Sequence, residues 1–285
     1  MGGITDVPGV RVGQVSVVRP PDVHTGVTAI VPDRLPAAAG VFAGNGYGKL
    51  IGSTQLAELG VLETPIVLTA TLSAFRAADA LVTWMLRRDP GLLSVNPVVG
   101  ECNDGWLSDI AARPITEAHV LEALDTATAG PVAEGCVGAG TGTVAMGFKA
   151  GIGTASRTVE LGTLGALVQA NFGGTLRGRK SVGEQPPDDG SCMLVIATDA
   201  PLDARQLTRV ARRAVFALAR VGANYSNGSG DYAIAFSTTQ GPPPPDDRLN
   251  PLFAATLDAV EEAVLNSLRA AVTTHGRHGR IAHAW

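Results

Sequence analysis

The sequence predicts a mixed chain in which helices pack outside stacked β-sheets. Three observations lead there. Short apolar segments of strand length alternate with amphipathic helical segments from end to end. Two C-terminal helices each carry one apolar face, so each has a single side to bury. The 285 residues, 45% hydrophobic and 17% charged, suffice for one large domain or two small ones with a sizeable core.

The strand segments are 23–31, 39–43, 66–72, 164–169, 193–198 and 232–237, rich in β-branched or alternating apolar residues. Ser53 is expected to cap a short helix ending at Gly60, Ser73 a helix through Trp84 to about Arg88, and Thr116 one reaching about Thr126. After Asp203 as N-cap, Leu207, Val210, Ala211, Ala214 and Leu218 form an apolar stripe. Arg205, Arg209, Arg212 and Arg213 fall mostly off it and read as a solvated face. Asn250 and Pro251 open the last helix at the N-cap and first position, and Phe253, Leu257, Val260, Val264 and Leu268 line its buried side. Residues 175–190 (TLRGRKSVGEQPPDDG) carry no apolar periodicity and read as an exposed loop running straight into a strand near Ser191. Residues 241–247, with their run of prolines, read as a spacer.

Composition excludes several function classes. A net charge of −4 argues against a nucleic-acid binder. No apolar run approaches the ~18–20 residues that span a bilayer, and the N-terminus lacks a basic-then-apolar signal pattern, so a cytoplasmic protein without membrane partners is expected. Cys102, Cys136 and Cys192 are odd in number and widely spaced, which suggests neither a disulfide framework nor a zinc site. Residues 44–49 (GNGYGK) miss the phosphate-loop spacing and have Leu50 where Ser or Thr would hold magnesium. Residues 138–143 (GAGTGT) are GxGxG rather than a dinucleotide fingerprint; they read as tight backbone packing, with the alternative that their amides line an active site. His275, His278 and His283 sit in a basic tail with no carboxylate or Cys to complete a metal set, and the tail reads as structural. His24 and His119 have no partner visible in sequence, and the absence of a G-x-S-x-G elbow disfavours an ordinary serine hydrolase.

The chemistry sits where the charged loop meets the strand, at Gly190-Ser191. A serine hydroxyl can attack the preceding carbonyl, shift the chain to an ester and let water cleave it. Gly190 would tolerate the strained backbone such an attack demands. Cleavage frees the Ser191 α-amine, whose ordinary pKa of about 7.7–8.0 suits a general base near neutral pH. On these residues alone an ordinary turn before a strand is the preferred reading.

Seven segments in order resolve that choice: ITDVPGVRVG (4–13), GNGYGKLIG (44–52), GECNDGWLSDI (100–110), GAGTGTVAMGFKAGIGTASR (138–157), VQANFG (168–173), GSCMLVIATDAPL (190–202) and SNGSGDYAIAFST (226–238). Together they resemble the DmpA-type family of L-aminopeptidase/D-esterase-amidases and β-aminopeptidases, related to nylon-oligomer hydrolases. The resemblance implies an α+β fold, a four-layer αββα sandwich of the N-terminal-nucleophile kind with DmpA-type topology. It implies one domain spanning 1–285 that cleaves itself into a large subunit, 1–190, and a small subunit, 191–285.

By motif, the scissile bond is Gly190–Ser191 and Ser191 is the nucleophile. Ser229 and Asp231 match the polar pair that orients the new α-amine, and in an extended segment residues two apart point the same way. Asn171 matches the oxyanion asparagine and Lys149 an active-site lysine near the nucleophile. Trp106 stands where the family often has a tyrosine, keeping an aromatic wall and an N–H donor, and Cys102 stands where threonine is expected. Cys102 and Cys192 read as small core residues. The resemblance implies release of N-terminal amino acids from short peptides, amides or esters through an acyl-enzyme, with no metal or organic cofactor. It also implies a homo-oligomer of αβ units, a tetramer favoured. Polyamide-oligomer hydrolysis on the same fold, acyl transfer and an unprocessed non-catalytic homologue are the alternative readings.

Overall fold

The computed structural model describes residues 2–176, 181, 184, 186 and 190–285, so most of the segment expected to form an exposed loop before Ser191 lies outside the described residues. In chain order the first half contains β1 (Val10–Arg19), β2 (Val23–Pro32), β3 (Ala37–Gly46), β4 (Leu50–Ile51), α1 (Ser53–Leu59), β5 (Val61–Leu62), β6 (Ile66–Ala70), α2 (Ala74–Arg88), β7 (Val98–Cys102) and α3 (Glu117–Asp125). The second contains β8 (Val144–Ala145), β9 (Phe148–Lys149), β10 (Ile152–Val159), β11 (Gly162–Asn171), β12 (Ser191–Thr198), α4 (Ala204–Val221), β13 (Gly230–Ser237), α5 (Asn250–Arg269), β14 (Thr274–His275) and β15 (Ile281–Ala282).

Two sheets carry the architecture, a five-stranded one ordered β1-β2-β6-β7-β4 and a six-stranded one ordered β10-β11-β12-β13-β3-β5. The period of two along each strand sorts their side chains into three apolar layers. In the first sheet Ala29, Val67 and Val99 face α2 and α3, whereas Ile30, Leu68 and Val98 face the second sheet. In the second, Met193, Val195, Ile234 and Phe236 point back at the first sheet, and Cys192, Leu194, Ile196 and Ala233 pack under α4 and α5. This is the αββα sandwich that the resemblance implies. Each buried Leu, Ile or Val contributes on the order of 1.5–3 kcal/mol.

Each sheet contains a parallel strand pair bridged by a helix. β6 pairs with β7 across α2, and β12 pairs with β13 across α4. β11 and β12 run antiparallel through the centre of the second sheet and are buried along almost their whole length. Burial on both faces is why 193–198 reads as a continuous apolar run rather than an alternating one.

Several boundaries move by a residue or two. Strand 39–43 extends to Ala37–Gly46, and 66–72 ends at Ala70 because Thr71–Ser73 tighten into a 3₁₀ turn before α2. Ser53 is the first residue of α1 rather than its cap, which is Gly52, and Gly60 closes the helix in the left-handed conformation. Asp203 caps α4 as expected, its Oδ1 accepting the Gln206 N–H at 2.7 Å. α5 begins at Asn250 itself, continuing a 3₁₀ turn over Asp246–Leu249. The α4 arginines are more than a solvated face. Arg205 and Arg209 pair with Asp246 at 2.7 and 2.9 Å, and the Arg213 guanidinium lies 3.7 Å from the Phe253 ring centroid. The proline segment is therefore stapled to α4 at its end. No helix among the described residues is long and apolar enough to cross a membrane.

Beyond the end of β7, the Asp104 carboxyl is fully buried. Burial pushes its pKa up to about 7, against a smaller opposing pull from the Thr25 hydroxyl. A raised carboxyl pKa means the folded chain keeps a proton that the unfolded chain has already lost. The stabilisation is complete below the ordinary carboxylate pKa of about 4 and is lost as pH rises through about 7. Asp104→Asn removes this titration, so its melting temperature should fall less than that of the unsubstituted protein between about pH 5 and about pH 8. Equal falls would contradict the assignment.

Candidate active site

Ser191 is the first residue of β12. The antiparallel register sets it opposite Asn171 at the end of β11, and the parallel register sets it opposite Gly230 at the start of β13. The ladder thus gathers three motif segments that lie far apart in sequence. Ser191 lines a cavity of about 450 Å³ together with Gly190, Asn171, Glu101, Asn103, Trp106 and Arg280 among others. Its Oγ is buried and has no hydrogen-bond partner among the described residues.

Gly190 is required here by close packing: a Cβ at this position would sit 2.4 Å from the Asn171 carbonyl oxygen and 2.7 Å from Phe172 Cα, so only glycine lets the strands approach this closely. The Gly190 carbonyl accepts the Gly230 N–H at 3.2 Å.

Ser229 and Asp231 meet, as their spacing predicts. The Ser229 hydroxyl donates to Asp231 Oδ1 at 2.9 Å, and both side chains are buried. Burial pushes the Asp231 carboxyl up to about 6, with the Ser229 hydrogen bond pulling the other way. Neither lines the cavity; they lie at the start of the strand beside Ser191. Asp231 Oδ2 has no partner among the described residues.

Asn171 is gripped from two sides. Its Oδ1 accepts the Val144 N–H and its Nδ2 donates to the Asn103 carbonyl, both at 3.1 Å. Nδ2 retains a second hydrogen for another acceptor. Lys149 lies beneath this arrangement rather than on the cavity wall. Its fully buried Nζ donates to the carbonyls of Gly140, Thr143 and Ala150 at 3.2, 2.9 and 2.5 Å, and burial lowers its pKa. Two of the three acceptors, Gly140 and Thr143, lie in the turn that leads into Val144, and the third, Ala150, follows β9. The 138–143 segment therefore combines tight packing with a link to the site.

Trp106 lines the cavity, and its carbonyl accepts from Arg280 Nη1 at 3.1 Å. Cys102 is buried, its Sγ lying 3.5 Å from the Ser191 carbonyl oxygen and 3.6 Å from that of Gln169, which fits a core residue joining the two sheets. Cys192 faces the opposite layer. Among the described residues no group of three or more His, Cys, Asp or Glu is arranged to hold a metal. His119 serves at the start of α3, where its Nδ1 accepts the Thr116 N–H at 3.1 Å. His24 is buried, and burial lowers its pKa.

Among the wall residues not singled out in sequence are Tyr47, Lys49, Glu101 and Arg280. Glu101 is buried at the end of β7. One oxygen accepts the Thr71 hydroxyl, the other the Lys49 N–H at 2.9 Å, and the Lys49 ammonium stands 3.6 Å away. The one signal for Glu101 was its place inside the 100–110 motif, which it shares with Asp104 and Asp109. Arg280 gave no such signal, because its tail read only as structural.

The comparisons bear on family and fold. The model of peptidase family S58 matches residues 2–282. A β-peptidyl aminopeptidase, BapA, from Sphingosinicella microcystinivorans is 38% identical, aligned over 99% of this chain and 85% of that protein. Among solved structures, a Burkholderia sp. β-aminopeptidase superposes with a TM-score of 0.89 at 39% identity, covering 99% of this chain and 90% of the other. The L-aminopeptidase D-Ala-esterase/amidase from Ochrobactrum anthropi, described as a prototype serine aminopeptidase on a variant of the Ntn-hydrolase fold, does so with a TM-score of 0.90 at 38% identity and the same coverages. The chain belongs to peptidase family S58 and is an amide-bond hydrolase of the aminopeptidase class on the N-terminal-nucleophile fold.

Proposed function

We propose that the chain cleaves its own Gly190–Ser191 bond and that the resulting pair, 1–190 and 191–285, removes N-terminal residues from short peptides, amides and esters. The observation that carries this reading is the Ser191 hydroxyl: buried at a cavity wall, opposite Asn171, and preceded by a glycine whose carbonyl is held by the Gly230 N–H.

In self-cleavage, Ser191 Oγ adds to the Gly190 carbonyl carbon, and the Gly230 N–H supports the negative charge that develops on its oxygen. The C–N bond breaks as the hydroxyl proton passes to the nitrogen, which leaves as the Ser191 α-amine, and Gly190 is joined to Ser191 Oγ as an ester. Water then hydrolyses that ester, leaving a Gly190 carboxylate and a free serine hydroxyl.

In the mature site the α-amine takes the hydroxyl proton as Oγ attacks the substrate carbonyl. The second Nδ2 hydrogen of Asn171 donates to the tetrahedral oxyanion. Collapse transfers the proton to the leaving amine or alcohol, and water releases the amino acid from the acyl-enzyme. Asp231, oriented by Ser229, holds the α-amine. Lys149 is a positioning residue, acting through the loop that fixes Asn171. Glu101, a carboxylate on the cavity wall anchored by Thr71 and the Lys49 N–H, takes the free ammonium of the substrate. Trp106 forms the apolar wall. The named activities of the related β-aminopeptidases and of the D-Ala-esterase/amidase support this substrate range. The same reading puts the enzyme in the cytoplasm as a homo-oligomer of αβ units, a tetramer favoured.

Ser191→Ala should abolish hydrolysis of a chromogenic amino-acid amide, and the unsubstituted enzyme should leave the N-acetylated amide intact. Turnover of the amide by the variant, or of the blocked amide by the enzyme, would contradict the reading. Asn171→Ala should lower kcat by about 10²–10³ with a much smaller change in KM, as expected for loss of one oxyanion donor; steady-state kinetics on the same amide measures the split.

A further inference from the structure

The cavity wall carries two opposite charges, Glu101 and Arg280, that are not paired with each other. Glu101 is matched by Lys49, whose charge is thereby also compensated. Arg280 has no ion-pair partner among the described residues. Two other arginines near the C-terminus differ: Arg277 pairs with Asp109 at 3.2 Å, and Arg269, at the end of α5, lies over the Trp285 ring.

Arg280 is held in place by a built feature. β14 and β15 pair as a hairpin, closed by the Gly276 N–H donating to the Arg280 carbonyl at 2.8 Å. The hairpin is fastened to the segment after β7 by the Arg277 N–H donating to the Leu107 carbonyl at 3.0 Å. Gly276 packs so closely there that a Cβ would meet the Leu107 oxygen at 2.7 Å. The guanidinium itself donates to the Trp106 carbonyl and lies 5.8 Å from the Trp106 ring centroid. One N–H of five is accounted for, and the rest of the planar fork fits a carboxylate.

We infer that Arg280 is a specificity residue that binds the free carboxylate of the leaving half of the substrate, so that the preferred substrates are dipeptides with a free C-terminus. This rests on the aminopeptidase reading above, which assigns the substrate ammonium to Glu101. A dipeptide zwitterion carries one charge for each end of that pair, and a cavity of about 450 Å³ is of the size that encloses a small ligand. An amide or ester leaving group presents no anion and leaves Arg280 without a partner. Cleavage of the peptide bond by Ser191 is unchanged; the amine that departs carries the carboxylate with it.

The test compares kcat/KM for a dipeptide with that for the same dipeptide bearing a C-terminal amide, in the self-processed enzyme. The free acid should be preferred. Arg280→Met should lose about tenfold to a hundredfold more on the acid than on the amide, mostly through KM, the scale of a charge-assisted hydrogen bond. Arg280→Lys should restore part of the difference, and Arg280→Glu should invert it. An unsubstituted enzyme that hydrolyses both substrates equally well would overturn the inference while leaving the aminopeptidase reading intact. So would equal losses on both substrates in Arg280→Met and Arg280→Lys, the signature of a structural role. An enzyme inactive on both substrates contradicts the aminopeptidase reading itself.

Discussion

The pairing register of one strand governs this molecule. β12 is hydrogen-bonded to β11 on one side and β13 on the other, and its first residue is Ser191. Because side chains alternate along a strand, a slip of one residue would turn Met193 and Val195 away from the inter-sheet layer and bring Cys192 and Leu194 into it. The same slip would take Ser191 off Asn171 and Gly190 off the Gly230 N–H. Core and proposed chemistry are therefore fixed by one set of backbone bonds, and hydrophobic burial on both faces of β12 is what makes that register costly to leave.

Around the head of β12 the fold supplies charge from different directions. The end of β7 in the opposite sheet brings Glu101, the C-terminal hairpin brings Arg280, and the start of β13 brings the Ser229–Asp231 pair. Lys149 illustrates how a charged residue serves a site without touching it. Three carbonyl oxygens satisfy its ammonium, and two of them lie in the turn that leads into Val144, whose N–H donates to Asn171 Oδ1. A buried cation so fully bonded is a support for geometry more than a source of field at the nucleophile.

Much of this was legible in the sequence. β3, β11, β12 and β13 of the second sheet, β2 and β6 of the first, α1 to α5 and the buried faces of α4 and α5 follow from periodicity and capping residues. β1, β7 and β10 did not stand out, because their polar or glycine-interrupted stretches hide the period of two; β1 carries Arg11, Gln14 and Ser16, and β10 carries Arg157 and two threonines. The proposed nucleophile, its glycine and the Ser229–Asp231 pair were visible as motifs. Glu101 and Arg280 were not, since what distinguishes them is the cavity they share, and that arises only when β7 and the tail fold against each other. The prolines of 242–245 and the arginines of α4 hid their partnership for the same reason: Asp246 acquires its role by reaching α4 in three dimensions.

The central claim is that Ser191 is a nucleophile exposed by the chain's own cleavage. The intact mass of the purified protein under denaturing conditions tests it most directly. The account predicts two masses, for fragments ending at Gly190 and beginning at Ser191, and a single uncut mass for Ser191→Ala. A single full-length mass for the unsubstituted protein after long incubation at neutral pH would contradict it.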